Sequence, residues 1–484
     1  PMSDADGSQI GPVGTAAAGE PVPYDPGPIE WREIGDGVDS GWVTVPVDYA
    51  VPGGPTIDLF VVRYQALDPD ERIGSLLVNP GGPGAGGAEL ALFAAYQFDR
   101  ELLDHFDIVG WDPRGAEQSR PAIDCIADAD YDRMFARPDF TPDTAADKDE
   151  LVELATEFAA GCVANSDGIV EFVGTNNSAR DMDSIRRALG EDTISYFGFS
   201  AGSELGATWA TLFPDTVRAA VLDGAVDPDA DDLESSLQQS RGFEQSVERF
   251  LDYCDRTGCE FAPAGDADAA FTELMTALDE SPVPSGRSGR PDVNRSVATQ
   301  AVVQAMYDDS YWPALDRSLA AAADGDGSGL LELYDAYYRR NPDGSYSNLL
   351  EAFQAISCAD TAERLSVADD DARAELFVEA APHLTPEGSV GSYFCTFFPP
   401  ARDPRVKITG DGAGPIVVIG TTGDPATPFE STVAMAAALD DGRLIEVDAN
   451  QHLGYPTGND CVIDAVNAYL VDLEPPPATG LVCD

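Results

Sequence analysis

Residues 194–213 read Ile194-Ser195-Tyr196-Phe197-Gly198-Phe199-Ser200-Ala201-Gly202-Ser203-Glu204-Leu205-Gly206-Ala207-Thr208-Trp209-Ala210-Thr211-Leu212-Phe213. An apolar run of strand length ends at Phe199, a Gly-x-Ser-x-Gly pentapeptide follows, and a stretch of helical length begins at Ala201. The pentapeptide alone is common in long chains. Its setting between a strand and a helix is what a nucleophile elbow needs, because small neighbours let the serine occupy a tight, strained turn and stand above the sheet's C-terminal edge. Outward from this stretch, runs rich in Val, Ile, Leu and Phe recur at 42–47, 56–65, 75–79, 106–111, 193–199, 219–224, 415–420 and 443–448. The first two suit an antiparallel pair. The later ones are almost continuously apolar, as parallel strands covered on both faces must be. Helical patterns at 86–98, 178–189, 201–213 and 429–440 alternate with them, which predicts a doubly wound α/β fold with an eight-stranded, mostly parallel sheet.

The alternation stops between 229 and 405, where amphipathic pieces near 233–254, 268–279, 297–324 and 348–378 replace the strands. The expected plan is a flexible leader over 1–30, the first part of the α/β body over 31–228, a helical cap inserted over 229–405, and the rest of the body over 406–484. Pro1 reads as an extra residue ahead of Met2, and any export signal is expected to have been removed.

Serine is a weak nucleophile at neutral pH and needs a general base, for which histidine is suited by its ordinary pKa. The chain holds three histidines. His105 precedes the 106–111 run, at the wrong end of the sheet, and His383 lies in the cap. His452 follows the last strand-like run, at the edge where Ser200 is expected, and is the candidate base. Asp424, in the loop after 415–420, is the candidate acid that orients it, with Asp223 as the rival. The order Ser200, Asp424, His452 is that of the α/β-hydrolase fold rather than of the trypsin or subtilisin types. The tetrahedral oxyanion needs two backbone N–H groups. Ala201 follows the nucleophile, and the Asn79–Gly87 loop offers Gly82 as the second donor. Gly82 to Gly87 also fits Gly-x-Gly-x-x-Gly, but two antiparallel strands precede it, and Pro80 and Pro83 remove amides a pyrophosphate would use. A P-loop is excluded, since no Lys-Ser/Thr follows. The reading implies no metal and no organic cofactor.

Composition narrows the partners. The chain has 86 Asp and Glu against 28 Lys and Arg, a formal charge of −58 over 484 residues. Such a surface repels nucleic acid and anionic membranes, and no apolar run is long enough for a membrane span, so the expected partner is a small peptide or ester substrate. Only Lys148 and Lys407 are lysines, a bias that salt adaptation or a GC-rich coding sequence would each produce. Eight cysteines without metal-ligand spacing point to disulfides and an oxidising compartment, against eight free thiols in a cytosolic protein. Proximity favours Cys125–Cys162, Cys254–Cys259, Cys358–Cys395 and Cys461–Cys483. The expected location is secreted or cell-envelope.

The stretches NPGGPGAGG (79–87), FDIVGWDPRGAEQS (106–119), residues 194–228, CAD (358–360), GDPATP (423–428) and the tail over 451–483 together resemble the tripeptidyl aminopeptidase branch of the proline-iminopeptidase-like α/β-hydrolases. The resemblance covers the chain from about residue 30 and is weakest in the cap. It implies a serine exopeptidase, usually secreted, that takes short peptides off free N-termini. It carries the nucleophile, acid and base roles to Ser200, Asp424 and His452, and a bridge to Cys461–Cys483. The chain departs from relatives where they often have Tyr in place of Ala201, and Thr and Tyr in place of Ser203 and Glu204. An exopeptidase must also recognise a cationic amine, for which Glu204, Asp227, Asp229, Glu234 and Glu244 are candidates. The alternatives are a carboxylesterase for small esters or lactones and a catalytically silent binding protein.

Overall fold

The computed structural model describes residues 24–484, so most of the expected leader lies outside the described residues. Ile29, within the span expected to be leader, is packed into the core. The sheet has ten strands: β1 (Arg32–Gly35), β2 (Val38–Pro46), β3 (Thr56–Tyr64), β4 (Gly74–Asn79), β5 (Phe106–Trp111), β6 (Ile194–Phe199), β7 (Val217–Asp223), β8 (Ile416–Thr421), β9 (Gly442–Val447) and β10 (Leu481–Cys483). Their order is β1-β2-β3-β5-β4-β6-β7-β8-β9-β10. Pairing is antiparallel from β1 through β3 to β5 and parallel across the rest.

The expected eight strands are therefore all present, and the count is corrected to ten by one short strand at each edge. Every residue of β1 is exposed, so it carries no apolar signal. β10 is three residues long and is tied to the helix Asp460–Asp472 by Cys461–Cys483. All four disulfides join the pairs that proximity favours. Bridges in this number persist in an oxidising, extracytoplasmic compartment.

The central strands are buried on both faces, which accounts for their continuous apolar runs. Leu77, Val109, Tyr196, Leu222 and Val418 face one core layer. Their neighbours Val78, Ile108, Phe197, Val221 and Ile419 face the other. Because β4, β6, β7, β8 and β9 run parallel, the loops leaving their C-terminal ends share one rim, and the candidate residues lie there.

Between β7 and β8 the chain is helical: Asp232–Thr257, Ala267–Glu280, Arg295–Met306, Trp312–Ala323, Ser328–Tyr337, Leu349–Asp360 and Val367–Ala380. Two of the long pieces expected here are each broken in two. Asp308 caps the Ser310 amide and Pro313 opens the next helix; further on, Ser366 caps the Asp369 amide. The helices from 232 to 337 enclose their own apolar core around Phe250, Phe271, Val302, Leu315 and Leu331. Helix Leu349–Asp360 instead sends Ala352, Ala355 and Ile356 into the sheet's core. Helix Ala145–Asn165, with its Thr144/Asp147 capping box, was not expected, because its apolar residues form no clear stripe.

Candidate active site

Ser200 occupies the turn between β6 and the helix Ala201–Leu212 with φ 54° and ψ −128°, a backbone that side-chain-bearing residues rarely adopt. Its N–H donates to the Asp223 carbonyl at 2.7 Å, which pins the turn to the end of β7. The Asn79–Gly87 loop closes over it. A Cβ on Gly81 would sit 2.3 Å from the Phe199 carbonyl oxygen and 3.0 Å from the Ser200 Cβ, so only glycine fits this approach. The loop is braced by Asn79 Oδ1, which accepts from the Gly81 amide at 2.9 Å. Among the described residues, neither the Ala201 nor the Gly82 amide donates a hydrogen bond, and both residues line the cavity in front of Ser200.

Asp424, 3 % exposed, lies in the loop after β8. Its Oδ1 accepts from the Ala426 and Thr427 amides at 2.9 and 2.8 Å, and its Oδ2 from Thr427 Oγ1 at 3.0 Å. His452 Nδ1 stands 2.9 Å from both carboxylate oxygens. Burial pulls the imidazole pKa down, but the charge and hydrogen bond of Asp424 and the charge of Asp223 overcome it, and the net shift is upward. His452 Nε2 is buried and has no hydrogen-bond partner, so it is free to take a proton from an arriving group. The His452 Cε1 lies against Gly224, three residues beyond the strand residue that pairs with Phe197 and one beyond the carbonyl that holds Ser200. No hydrogen bond joins Ser200 Oγ to the imidazole, a gap of the kind that free enzymes often close on binding substrate.

The rival acid, Asp223, makes different contacts. Asp223 is fully buried, and its two oxygens accept from the Gly454 and Tyr455 amides at 2.8 Å each. It anchors the loop that carries His452, and burial pushes its carboxyl up to about 7. His105 caps its own helix through Glu101, and His383 is bound to Glu244 in the cap. Sequence reasoning missed the anchoring role, since no local pattern links Asp223 to an amide 231 positions away.

A cavity of about 600 Å³ opens in front of Ser200. Phe353, Leu365, Phe377 and Phe394 supply its apolar wall. Of the five acids considered for a substrate amine, Glu204 and Asp227 line it. Glu204 is paired with Arg405 at 2.7 Å, and Arg405 also holds Asp232 at 2.8 Å, so Glu204 is not a free anion. Glu244 and Glu234 are paired with His383 and Arg241, and Asp229 is exposed beside Lys407.

The α/β-hydrolase fold family matches residues 74–458. The chain belongs to this family, in its tripeptidyl-aminopeptidase-like branch. It is 36 % identical to serine protease Hip1 of Mycobacterium tuberculosis over 94 % of this chain and 91 % of that one. It is 37 % identical to carboxylesterase B of Mycobacterium tuberculosis, covering 91 % and 85 %. It is 29 % identical to tripeptidyl aminopeptidase of Streptomyces lividans, covering 97 % and 87 %. The chain is a serine hydrolase by fold, elbow and kinship.

Proposed function

We propose that this enzyme hydrolyses peptide or amide bonds near free N-termini through an acyl-serine intermediate. The observation that carries the reading is the pairing of a buried carboxylate with an imidazole, Asp424 to His452 at 2.9 Å, on the rim where Ser200 is held in strained backbone. Ser200 Oγ attacks the substrate carbonyl while His452 takes its proton, and the amides of Ala201 and Gly82 receive the oxyanion, each donor contributing about 10²–10³ in rate. His452 then protonates the leaving amine, and water repeats the sequence to free the acid. Asp424 fixes the imidazole tautomer and stabilises its charged form. Residues 229–405 act as a cap that shapes the pocket over a body formed by 31–228 and 406–484.

The acid-lined cavity suits a small cationic substrate end, and the relatives named as a serine protease and a tripeptidyl aminopeptidase support a peptide. The second reading, a carboxylesterase, is favoured by the apolar wall and by the relative named carboxylesterase B. A tripeptide anilide with a free amine, set against its acetylated twin and a short acyl ester, separates the two. A peptidase of this kind cleaves the free-amine anilide and rejects the acetylated one; rapid ester cleavage with neither anilide cut overturns the peptidase reading. The disulfides support a secreted or cell-envelope location. The negative charge argues against nucleic-acid partners.

A further inference from the structure

Helix Asp232–Thr257, the first of the insertion, sits directly on the loop that carries Asp424. A Cβ on its Gly242 would stand 2.5 Å from the Pro425 carbonyl oxygen. Its Gln239 donates to the Ala426 carbonyl at 3.1 Å. Its Arg249 donates Nη2 to the carbonyl of Gly423, the residue before Asp424, at 2.9 Å. The Nε of the same guanidinium is buried without a hydrogen-bond partner, so one contact orients the group. The base is held from the insertion as well. The His452 N–H donates to the Tyr307 carbonyl at 2.8 Å, and the Tyr307 ring stands edge-on to the imidazole, 5.6 Å between centroids.

We propose that Arg249 is a positioning residue for the Asp424–His452 pair, holding the acid loop in register from the cap and opposing protonation of the imidazole with its positive charge. The inference rests on the roles given above to Ser200, Asp424 and His452. The groups facing the pair are Asp424 itself, Asp223 from the end of β7, the neutral Tyr307 phenol, and Arg249 with its neighbour Glu248 from the helix. Asp308 and Asp309 follow Tyr307, and Asp309 reaches Asn450. The anions, Asp424 foremost, win over burial and raise the imidazole above its ordinary range; the guanidinium, whose charge acts on Asp424, is the positive charge that offsets part of their pull.

The test reads labelling of Ser200 by a fluorophosphonate over about pH 5–8, where imidazole titrates. In that reaction the Ser200 Oγ–phosphorus bond forms, fluoride leaves and His452 takes the hydroxyl proton, so no substrate need be known. Arg249→Met is expected to slow labelling at its high-pH plateau about 10- to 100-fold, the cost of a misplaced reacting group. It is also expected to move the midpoint up by about half a pH unit or more. Arg249→Lys keeps the charge and the stem and is expected to return the midpoint to the wild-type position while labelling stays slower, because the forked donor is lost. This variant also carries the test if Arg249→Met does not fold. A plateau and midpoint unchanged in Arg249→Met overturn the inference. So does a slower plateau with an unmoved midpoint, for then the side chain only fills space; if Lys alone folds, labelling as fast as wild type overturns it. Ser200→Ala separates the two layers: phosphonylation elsewhere at the wild-type rate ends the nucleophile assignment, whatever Arg249 does.

Discussion

The sheet-bearing body and the helical insertion contribute to the rim in different ways. The body places Ser200 at a turn fixed by β6, β7 and the glycine loop, with central strands whose side chains are buried on both faces. The insertion contains none of Ser200, Asp424 and His452, yet its first helix and the Tyr307 segment touch the two loops that bring Asp424 and His452 together. A strand–turn–helix elbow can be built from local sequence, whereas long loops at a strand end need outside support to hold a geometry. The comparison teaches that the helical insertion braces the loops of Asp424 and His452 as well as walling a cavity.

The largest test of the body's share is Ser200→Ala, expected to lower turnover of the free-amine anilide by about 10⁴ or more, with fold and unfolding midpoint retained. An equal loss from a cap substitution far from both loops breaks the comparison. Asp424→Asn is expected to cost about 10³–10⁴ in kcat, because the imidazole loses its tautomer and its counter-charge while the loop remains in place. Rates measured with both variants at one pH place the acid second to the nucleophile.

Stability offers a contrast between the regions. Cys125–Cys162 in the body closes 37 residues and Cys254–Cys259 in the cap closes 5. Removing the first by paired Cys→Ser changes is expected to cost about 4 kcal/mol and the second about 2 kcal/mol, from the entropy each returns to the unfolded chain. Urea unfolding of the two double variants checks the ranking.

The last contrast is in pH. Asp112 and Asp223 in the body, and Glu351 and Asp360 on the helix that packs into the body's core, are each pushed up to about 7 by burial. Their folded-state pKa values lie above the unfolded ones, so the folded chain binds more protons between about pH 4 and 7, and stability falls as pH rises through that window. The unfolding midpoint in urea is expected to be higher near pH 5 than near pH 7.5. Catalysis runs the other way. His452 is raised above the ordinary histidine value, chiefly by Asp424 against its own burial, so activity falls with acidification beginning above about pH 6.5. The enzyme is thus expected to be most durable where it is least active, which paired pH profiles of labelling and unfolding examine.

The eight apolar runs, the elbow and the four cysteine pairs were legible in the sequence, because each is written in neighbouring residues: a run of Val and Ile, a serine between glycines, thiols close along the chain. The edge strands were not. β1 has no buried side, and β10 exists because a disulfide brings three residues beside β9. The two split helices were hidden by caps such as Asp308 and Ser366, which resemble ordinary polar residues on an exposed face.

What the sequence by itself determined is the alternation of strand and helix, the strand–turn–helix setting of Ser200, and the order of Ser200, Asp424 and His452 along the chain. Those are local facts of composition and spacing. The tertiary structure set Asp424 beside the imidazole and Asp223 against the Gly454 and Tyr455 amides, made Glu204 the partner of Arg405, and brought Arg249 and Tyr307 to the loops they touch. The physical reason is that a carboxylate's role is set by which donors surround it in a medium that screens them poorly, and those donors come from segments up to 231 residues away.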